Sequence, residues 1–384
     1  MKCAVVSVFA GLGLCFQMGC VSHRAAFVPS NPPEMKPITN RDSPAYHAAK
    51  LFMHGVNLGD YLETPPDQSL IKYSAAEFGI MRAEGFDHVR LPVGWQYYTG
   101  PVPDFTLAPE IFARVDFIVT NALANKLAVI IDVHHFNAFI NDPAGQTGKL
   151  VAIWRQIAAH YARFPEGLAF DLFNEPHDTL TTAVMNPVNA RLIAEIRETN
   201  PNRTLVVEPG DWNKVEELKN LVLPPDDNVI VSVHCYEPYY FTHQGASWGG
   251  PDVKVTGIQF PGPPAAPLIP DPSLRLNPWV VKWIQQYNTR PTAKNPCGPK
   301  AFEDRLKLAR AWSDYYGRPV HVGEFGCYTT ADPESRARFY AAFRRALDQE
   351  QLGWAMWDWS AGFRYWDKKN NRSMPGMREA LFGK

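Results

Sequence analysis

The 384-residue chain has almost no excess charge: 38 Lys and Arg stand against 39 Asp and Glu. So even a balance argues against nucleic acid or an acidic polymer as partner, because such partners are gathered by a field of one sign. Cysteine is sparse, six in all, and no C-x-x-C or H-x-x-H spacing offers zinc a site. No repeat recurs at a fixed period. Heptad runs and long exposed apolar segments are also missing, so the expectation is a monomer. The apolar run Ala4–Met18 is too short and too weakly flanked for a stable membrane span and reads as a secretory signal. Absent too is the Gly-rich turn that an open doubly wound sheet carries after its first strand.

Aromatics and proline are plentiful. Aromatics make up 12% of the chain, with 11 Trp, and there are 34 Pro, above the usual share of about 5%. Flat apolar Trp faces suit sugar rings, although several Trp must serve as core. At roughly 150 residues per domain the length allows two domains, but a barrel of this size folds as one. Residues 1–20 form the signal. Its end, Gly19-Cys20, resembles a bacterial lipoprotein cleavage site, with Gln17 where Leu is usual. A lipid anchor through Cys20 in the cell envelope and plain export to the periplasm or medium both stay open. Residues 21–45, rich in Pro, Ser and Asn, read as a flexible tether, and 46–384 as the folded domain. Cys235, Cys297 and Cys327 leave one pair plus a free thiol, or three free thiols, equally open.

After the tether, short apolar runs alternate with amphipathic stretches. Eight runs read as strands: Leu51–Asn57, Phe86–Leu91, Leu127–Val133, Leu168–Phe173, Thr204–Glu208, Asn228–His234, Pro319–Gly323 and Gly353–Asp358. Most are apolar throughout, as strands covered on both faces are. Helical patterns occupy Ala75–Glu84, Pro109–Ala124, Lys149–Arg163, Thr182–Thr199, Phe302–Tyr316 and Pro333–Gln349, with short ones at Lys214–Asn220 and Met377–Phe382. Eight such units predict a single (β/α)8 TIM barrel. The largest interruption, Tyr239–Lys300, follows strand six and holds eleven Pro and three Trp. A loop this long is functional or mobile.

In such a barrel the carboxyl ends of the strands face the site. Five of these apolar runs stop in charged or amphipathic residues: Arg90-Leu-Pro, Asp132-Val-His134-His135, Asn174-Glu175-Pro176, His234-Cys-Tyr236 and Glu324-Phe-Gly326. Packing alone does not explain that. Glycoside hydrolysis is the chemistry that uses two carboxylates and no metal, one protonated to serve the leaving oxygen and one ionised. Glu175 and Glu324 are the candidates. A carboxylate near donors such as Arg90 and Tyr236 suits the nucleophile. The other, near His234 and more desolvated, suits the acid.

Together with Trp357 after the last strand, this set resembles glycoside hydrolase family 5, the cellulase family of clan A, over nearly the whole mature chain. The resemblance implies Glu175 as general acid/base and Glu324 as nucleophile of a retaining double displacement. It implies Asn174 at the sugar 2-hydroxyl, Arg90 and Tyr236 as partners of the nucleophile, His134 and His234 lining the central subsite, and Trp357 under the reacting sugar. Asn57-Leu-Gly-Asp60-Tyr-Leu-Glu63 resembles an N-L-G-N-x-L-E segment of bacterial endoglucanases in the family, with Asp60 replacing a sugar-binding Asn; Asp60 and Glu63 are thereby candidate sugar contacts. The pair His134-His135 and the stretch Phe241–Trp248 resemble the same subgroup, which adds His135, His243 and Trp248. Trp212 is a weaker candidate, while Trp354 and Trp359 read as core or rim packing.

The expected partner is a β-1,4-linked glucan, cleaved internally, with β-mannan or xyloglucan as alternatives and no cofactor. A metal-dependent hydrolase of the same fold is disfavoured, because the first strand offers only His54. A catalytically silent sugar-binding protein is disfavoured because both carboxylates stand with their partners.

Overall fold

The computed structural model describes residues 41–68 and 71–383. The expected signal, Cys20 and most of the expected tether lie outside these residues. Eight parallel strands close into a barrel in sequence order: β1 His54–Asn57, β2 His88–Leu91, β3 Ala128–Asp132, β4 Leu168–Asp171, β5 Leu205–Val207, β6 Val229–His234, β7 Val320–Glu324 and β8 Gly353–Met356. β8 returns to pair with β1, His54 opposite Trp354. All eight predicted strands are present, most of them shorter than the apolar runs. The flanking residues of those runs lie in the loops that build the site. The helices Ala75–Glu84, Pro109–Ala124 and Met377–Phe382 match their predicted bounds, and the helix predicted from Lys149 starts at Pro143.

Strand parity sorts the core into two layers, because successive side chains point to opposite faces. Val129, Ile131, Leu168, Phe170, Leu205, Val207, Val229 and Val231 face outward into the large cluster shared with the helices. Their neighbours Ala128, Ile130, Ala169, Val206 and Ile230 fill the barrel interior with Phe52 and Ala45. Continuing the interior columns toward the carboxyl ends changes the chemistry completely. The next inward positions are Arg90, Asp132, Asp171, Glu208, Ser232 and His234, all buried. The interior is thus an apolar plug below and a layer of ionisable groups above.

One boundary moves. The tether was expected to run to residue 45, but a helix spans Pro44–Ala49. Ser43 and Ala45 are buried, and the Ala45 N–H donates to Asp227 O. The chain therefore joins the barrel at its amino end, where Ala45 caps the plug. A cavity of about 370 Å³ lies there, lined by Phe52, Arg310, His321 and Leu352 among others, at the opposite end from the strand-end carboxylates.

The interruption after β6 is folded. It holds a helix, Pro278–Thr289, that buries Val280, Trp283, Ile284 and Tyr287. Its Phe260 packs against Phe241, Phe302 and Phe339, so the segment straps the helices after β6 and β7. Cys235, Cys297 and Cys327 are three free, buried thiols. Phe52→Ala would hollow the plug and should lower stability by about 3–5 kcal/mol in urea unfolding followed by Trp fluorescence. A loss below about 1 kcal/mol would mean that the plug does not carry the packing.

Candidate active site

The guanidinium of Arg90 is the centre of the upper layer. Its Nη2 lies 2.9 Å from Asp132, 3.0 Å from Asp171 and 3.3 Å from Glu208, while Nη1 lies 2.8 Å from Glu324 Oε1. Nη2 also donates to Asn174 Oδ1 at 2.7 Å and Nη1 to Asn57 Oδ1 at 3.1 Å. Asn57 Nδ2 in turn donates to Gly323 O, bracing β1 against β7. With its oxygen held by Arg90, Asn174 has its amide Nδ2 left to donate to a ligand hydroxyl.

One oxygen of Glu175, one of Glu324 and a ring nitrogen of His234 lie within 4.8 Å of one another. Three such donors could in principle hold a cation, but each is already engaged. Glu324 accepts from Arg90 and, at Oε2, from the Tyr236 hydroxyl at 2.9 Å. His234 Nδ1 lies 2.7 Å from Glu175 Oε1, and its Nε2 lies 3.2 Å from Glu208 Oε1. A guanidinium beside the carboxylate occupies the place of a metal charge. The arrangement instead presents two carboxyl groups across a short gap, one with donors fixed on both oxygens.

The burial of the pair reverses the expectation. The acid candidate was to be the more desolvated, yet the Glu324 side chain is 6% exposed and that of Glu175 17%. Glu324 ends β7 inside the barrel wall, whereas Glu175 follows β4 on a left-handed backbone, φ 45°. Burial pushes the Glu324 carboxyl up to about 7; the charge of His234 opposes this, that of Glu175 adds to it, and Arg90 opposes it. Burial would lower His234, but Glu324, Glu208 and Glu175 outweigh it and raise the imidazole well above its usual range. The carboxyls on either side of His234 thus favour its protonated form.

Around the mouth the candidates divide. His134 is buried with Nδ1 2.8 Å from Asp132 Oδ2, and its ring runs nearly parallel to that of Trp357, centroids 6.0 Å apart. His135 is exposed at the rim, edge-on to His134 at 4.2 Å. Trp357 is half-buried and lies so close over Gly59 that a Cβ there would sit 3.0 Å from its ring. Glu63 does not face the mouth: its carboxyl turns back to accept from the N–H groups of Asp60 and Tyr61. It therefore shapes the loop that carries Asp60. His243 is buried among Tyr236, Tyr239 and Phe363. Tyr239, stacked on it at 4.3 Å, is the exposed ring. Trp248 is 55% exposed against Tyr328. Trp212 stacks on His177 at 3.6 Å with its outer face open. Trp354 and Trp359 are buried core. Sequence reading passed over Asn57, Asp171, Glu208 and Tyr239. For Asp171 and Glu208 the signal was available: each lies two residues beyond an interior apolar position, Ala169 and Val206, on the same strand face.

Residues 71–362 match the family model described as Cellulase (glycosyl hydrolase family 5). Endoglucanase H of Acetivibrio thermocellus is 28% identical over 86% of this chain and 31% of its own length. Endoglucanase 3 of Fibrobacter succinogenes is 26% identical over 87% of this chain and 53% of its own. The chain thus spans about a third to a half of these curated relatives. The structure of Thermotoga maritima Cel5A in complex with mannotriose superposes with a TM-score of 0.76 at 28% identity, covering 88% of this chain and all of that one. On the strength of the family match and of a barrel that sets a carboxylate pair at the ends of β4 and β7, the chain belongs to glycosyl hydrolase family 5, the cellulase family.

Proposed function

We propose that the chain is a retaining endo-β-1,4-glucanase. The observation that carries the retaining assignment is that an oxygen of Glu175 and one of Glu324 lie within 4.8 Å of each other. Retaining glycosidases hold their carboxyls about 5–5.5 Å apart, whereas inverting ones leave about 6.5–9.5 Å for a water. In the first step a Glu324 oxygen bonds to the anomeric carbon as the glycosidic C–O bond breaks, and Glu175 gives its proton to the leaving oxygen. In the second, water attacks the same carbon, Glu175 takes the water's proton, and Glu324 departs. Positive charge grows on the sugar in both transition states, so a Glu324 anion fixed by Arg90 and Tyr236 is stabilising where it counts. Asn174 Nδ2 is the donor for the 2-hydroxyl. Endo action on glucan is supported by relatives named endoglucanases and by the exposed rings of Trp212 and Trp248. Export by way of residues 1–20 would bring the enzyme to such a polymer.

A second reading, cleavage of β-mannan, draws support from the mannotriose complex of Thermotoga maritima Cel5A. Product profiles on cello-, manno- and xyloglucan oligosaccharides decide between them. Release of monosaccharide alone, from chain ends, would contradict endo action.

Glu324→Gln should cut kcat on cellotetraose by more than about 10³-fold. The wild-type product seen first by NMR should be the β-anomer; initial α-anomer would sink the retaining assignment. Tyr236→Phe removes a donor that favours the Glu324 anion. The carboxyl then binds its proton more tightly, and the acid limb of kcat/KM moves to higher pH. A charge-assisted bond of about 1.5–3 kcal/mol corresponds to a loss of at least about tenfold near the optimum. An acid limb that stays in place would show that Tyr236 does not bear on the nucleophile.

A further inference from the structure

Glu208 stands just past β5, buried, and no step of the double displacement uses it. Its contacts converge on Glu175. Oε2 accepts the backbone N–H of Glu175 at 2.6 Å. Oε1 lies 3.2 Å from His234 Nε2, and the opposite ring nitrogen of that imidazole reaches Glu175 Oε1 at 2.7 Å. Arg90 Nη2 and Ser232 Oγ lie 3.3 and 3.4 Å from the same Oε1. Glu175 needs such a hold. It is a non-glycine residue at φ 45°, a conformation costing about 1–3 kcal/mol that survives only where the surroundings impose it.

We propose that Glu208 is the positioning residue of the acid/base: it grips the Glu175 backbone with one oxygen and, through the His234 ring, the Glu175 carboxyl with the other. The proposal rests on Glu175 being the acid/base. It has a stereochemical consequence. With Oε1 taken by His234, the proton that Glu175 delivers sits on Oε2, and the rotation of the carboxyl is fixed before substrate arrives. Such pre-orientation matters, since a misplacement of about 1 Å can cost on the order of 10²-fold. Glu208 remains an anion in this setting. Burial would raise it, but His234, Arg90 and the Glu175 N–H hold it down at about 2. Asp132, Asp171 and Glu324 are the other titratable groups facing it.

The test uses two aryl glycosides that differ in their need for a proton: phenyl β-cellobioside, a poor leaving group, and 2,4-dinitrophenyl β-cellobioside, which departs unaided. In Glu208→Gln the amide oxygen can still accept the Glu175 N–H, but the NH2 faces Arg90 and His234. We expect kcat/KM on the phenyl glycoside to fall by about 10–100-fold, within the range of general acid catalysis. On the dinitrophenyl glycoside it should fall less than about threefold. The KM for cellotetraose should not move, because Glu208 does not touch the sugar. Removing a buried charge can unfold the barrel, so Glu208→Asp is the companion. It keeps the charge but retracts the carboxylate by about 1.5 Å, and should show the same selective loss, smaller in size. Equal losses on both glycosides, or none, would overturn the proposal. Glu175→Gln is the control: a loss confined to the phenyl glycoside supports the acid/base reading, and equal losses there would sink that reading independently of Glu208.

Discussion

The buried guanidinium of Arg90 is the contact on which the rest of the site depends. Four carboxylates, from Asp132, Asp171, Glu208 and Glu324, lie within 3.3 Å of it. A single cation thereby ties β2 to the carboxyl ends of β3, β4, β5 and β7. Removing one partner of such a buried cluster costs about 3–5 kcal/mol, since the remaining charges lose their compensation. Arg suits the position and Lys does not, because only a planar fork can serve several oxygens in fixed directions. With Glu175 there are five carboxyls and, counting His234, two basic side chains. Crowding so many acids in a buried layer favours their protonated forms. Burial, aided by Glu208, holds Asp171 well above the carboxylate range, and burial outweighs Arg90 to bring Asp132 to about 6.

The charge balance changes how the two glutamates are told apart. Burial alone would make Glu324 the acid, since it is the less exposed and its carboxyl is pushed up to about 7. The donors argue the other way. Arg90 and Tyr236 fix both Glu324 oxygens as acceptors, which suits an attacking carboxylate. Among the described residues the one side chain hydrogen-bonded to the Glu175 carboxyl is the His234 ring, at one oxygen, which leaves the second to carry a proton. In the proposed double displacement substrate would reinforce this division, because the positive charge that develops at the anomeric carbon favours an anion at Glu324. Roles follow from directed hydrogen bonds, and solvent exposure is a poorer guide.

Much of this is legible in the amino-acid sequence alone. Eight strands alternating with helices specify the barrel, and motifs at strand ends name Arg90, His134, Asn174, Glu175, His234, Tyr236 and Glu324. What escapes depends on three-dimensional detail. Asp171 ends β4 and Glu208 follows β5 without a motif, and only strand parity places them in the layer with Arg90. Glu63 carries the right residue type, but its carboxyl folds back onto its own loop. His243 and Tyr239 exchange places, since the short helix Tyr239–Thr242 turns the tyrosine ring outward over the imidazole. The segment after β6 reads as a long loop because its prolines hide a helix whose apolar stripe is Val280, Trp283, Ile284 and Tyr287.

The backbone itself separates the two ends of the barrel. Among the described residues, eleven non-glycine positions have positive φ. Lys126 and Gln351 follow helix ends, where a left-handed residue is an ordinary cap. The other nine all lie in segments that follow the carboxyl ends of barrel strands, Asp211, Trp212 and Asn213 in a short left-handed turn and Asn371 in a hairpin turn. Five of those are Asp or Asn, which tolerate the conformation. Four are not: Phe105, His135, Glu175 and Trp212. Three of these four are at the mouth: the acid/base candidate, the histidine on the rim and the ring stacked on His177. A fold without other demands would place glycine or asparagine there. At Glu175 and Trp212 the left-handed backbone carries a side chain that is held by its neighbours, the carboxyl by His234 and the indole by His177, and such a conformation persists only where the surroundings impose it.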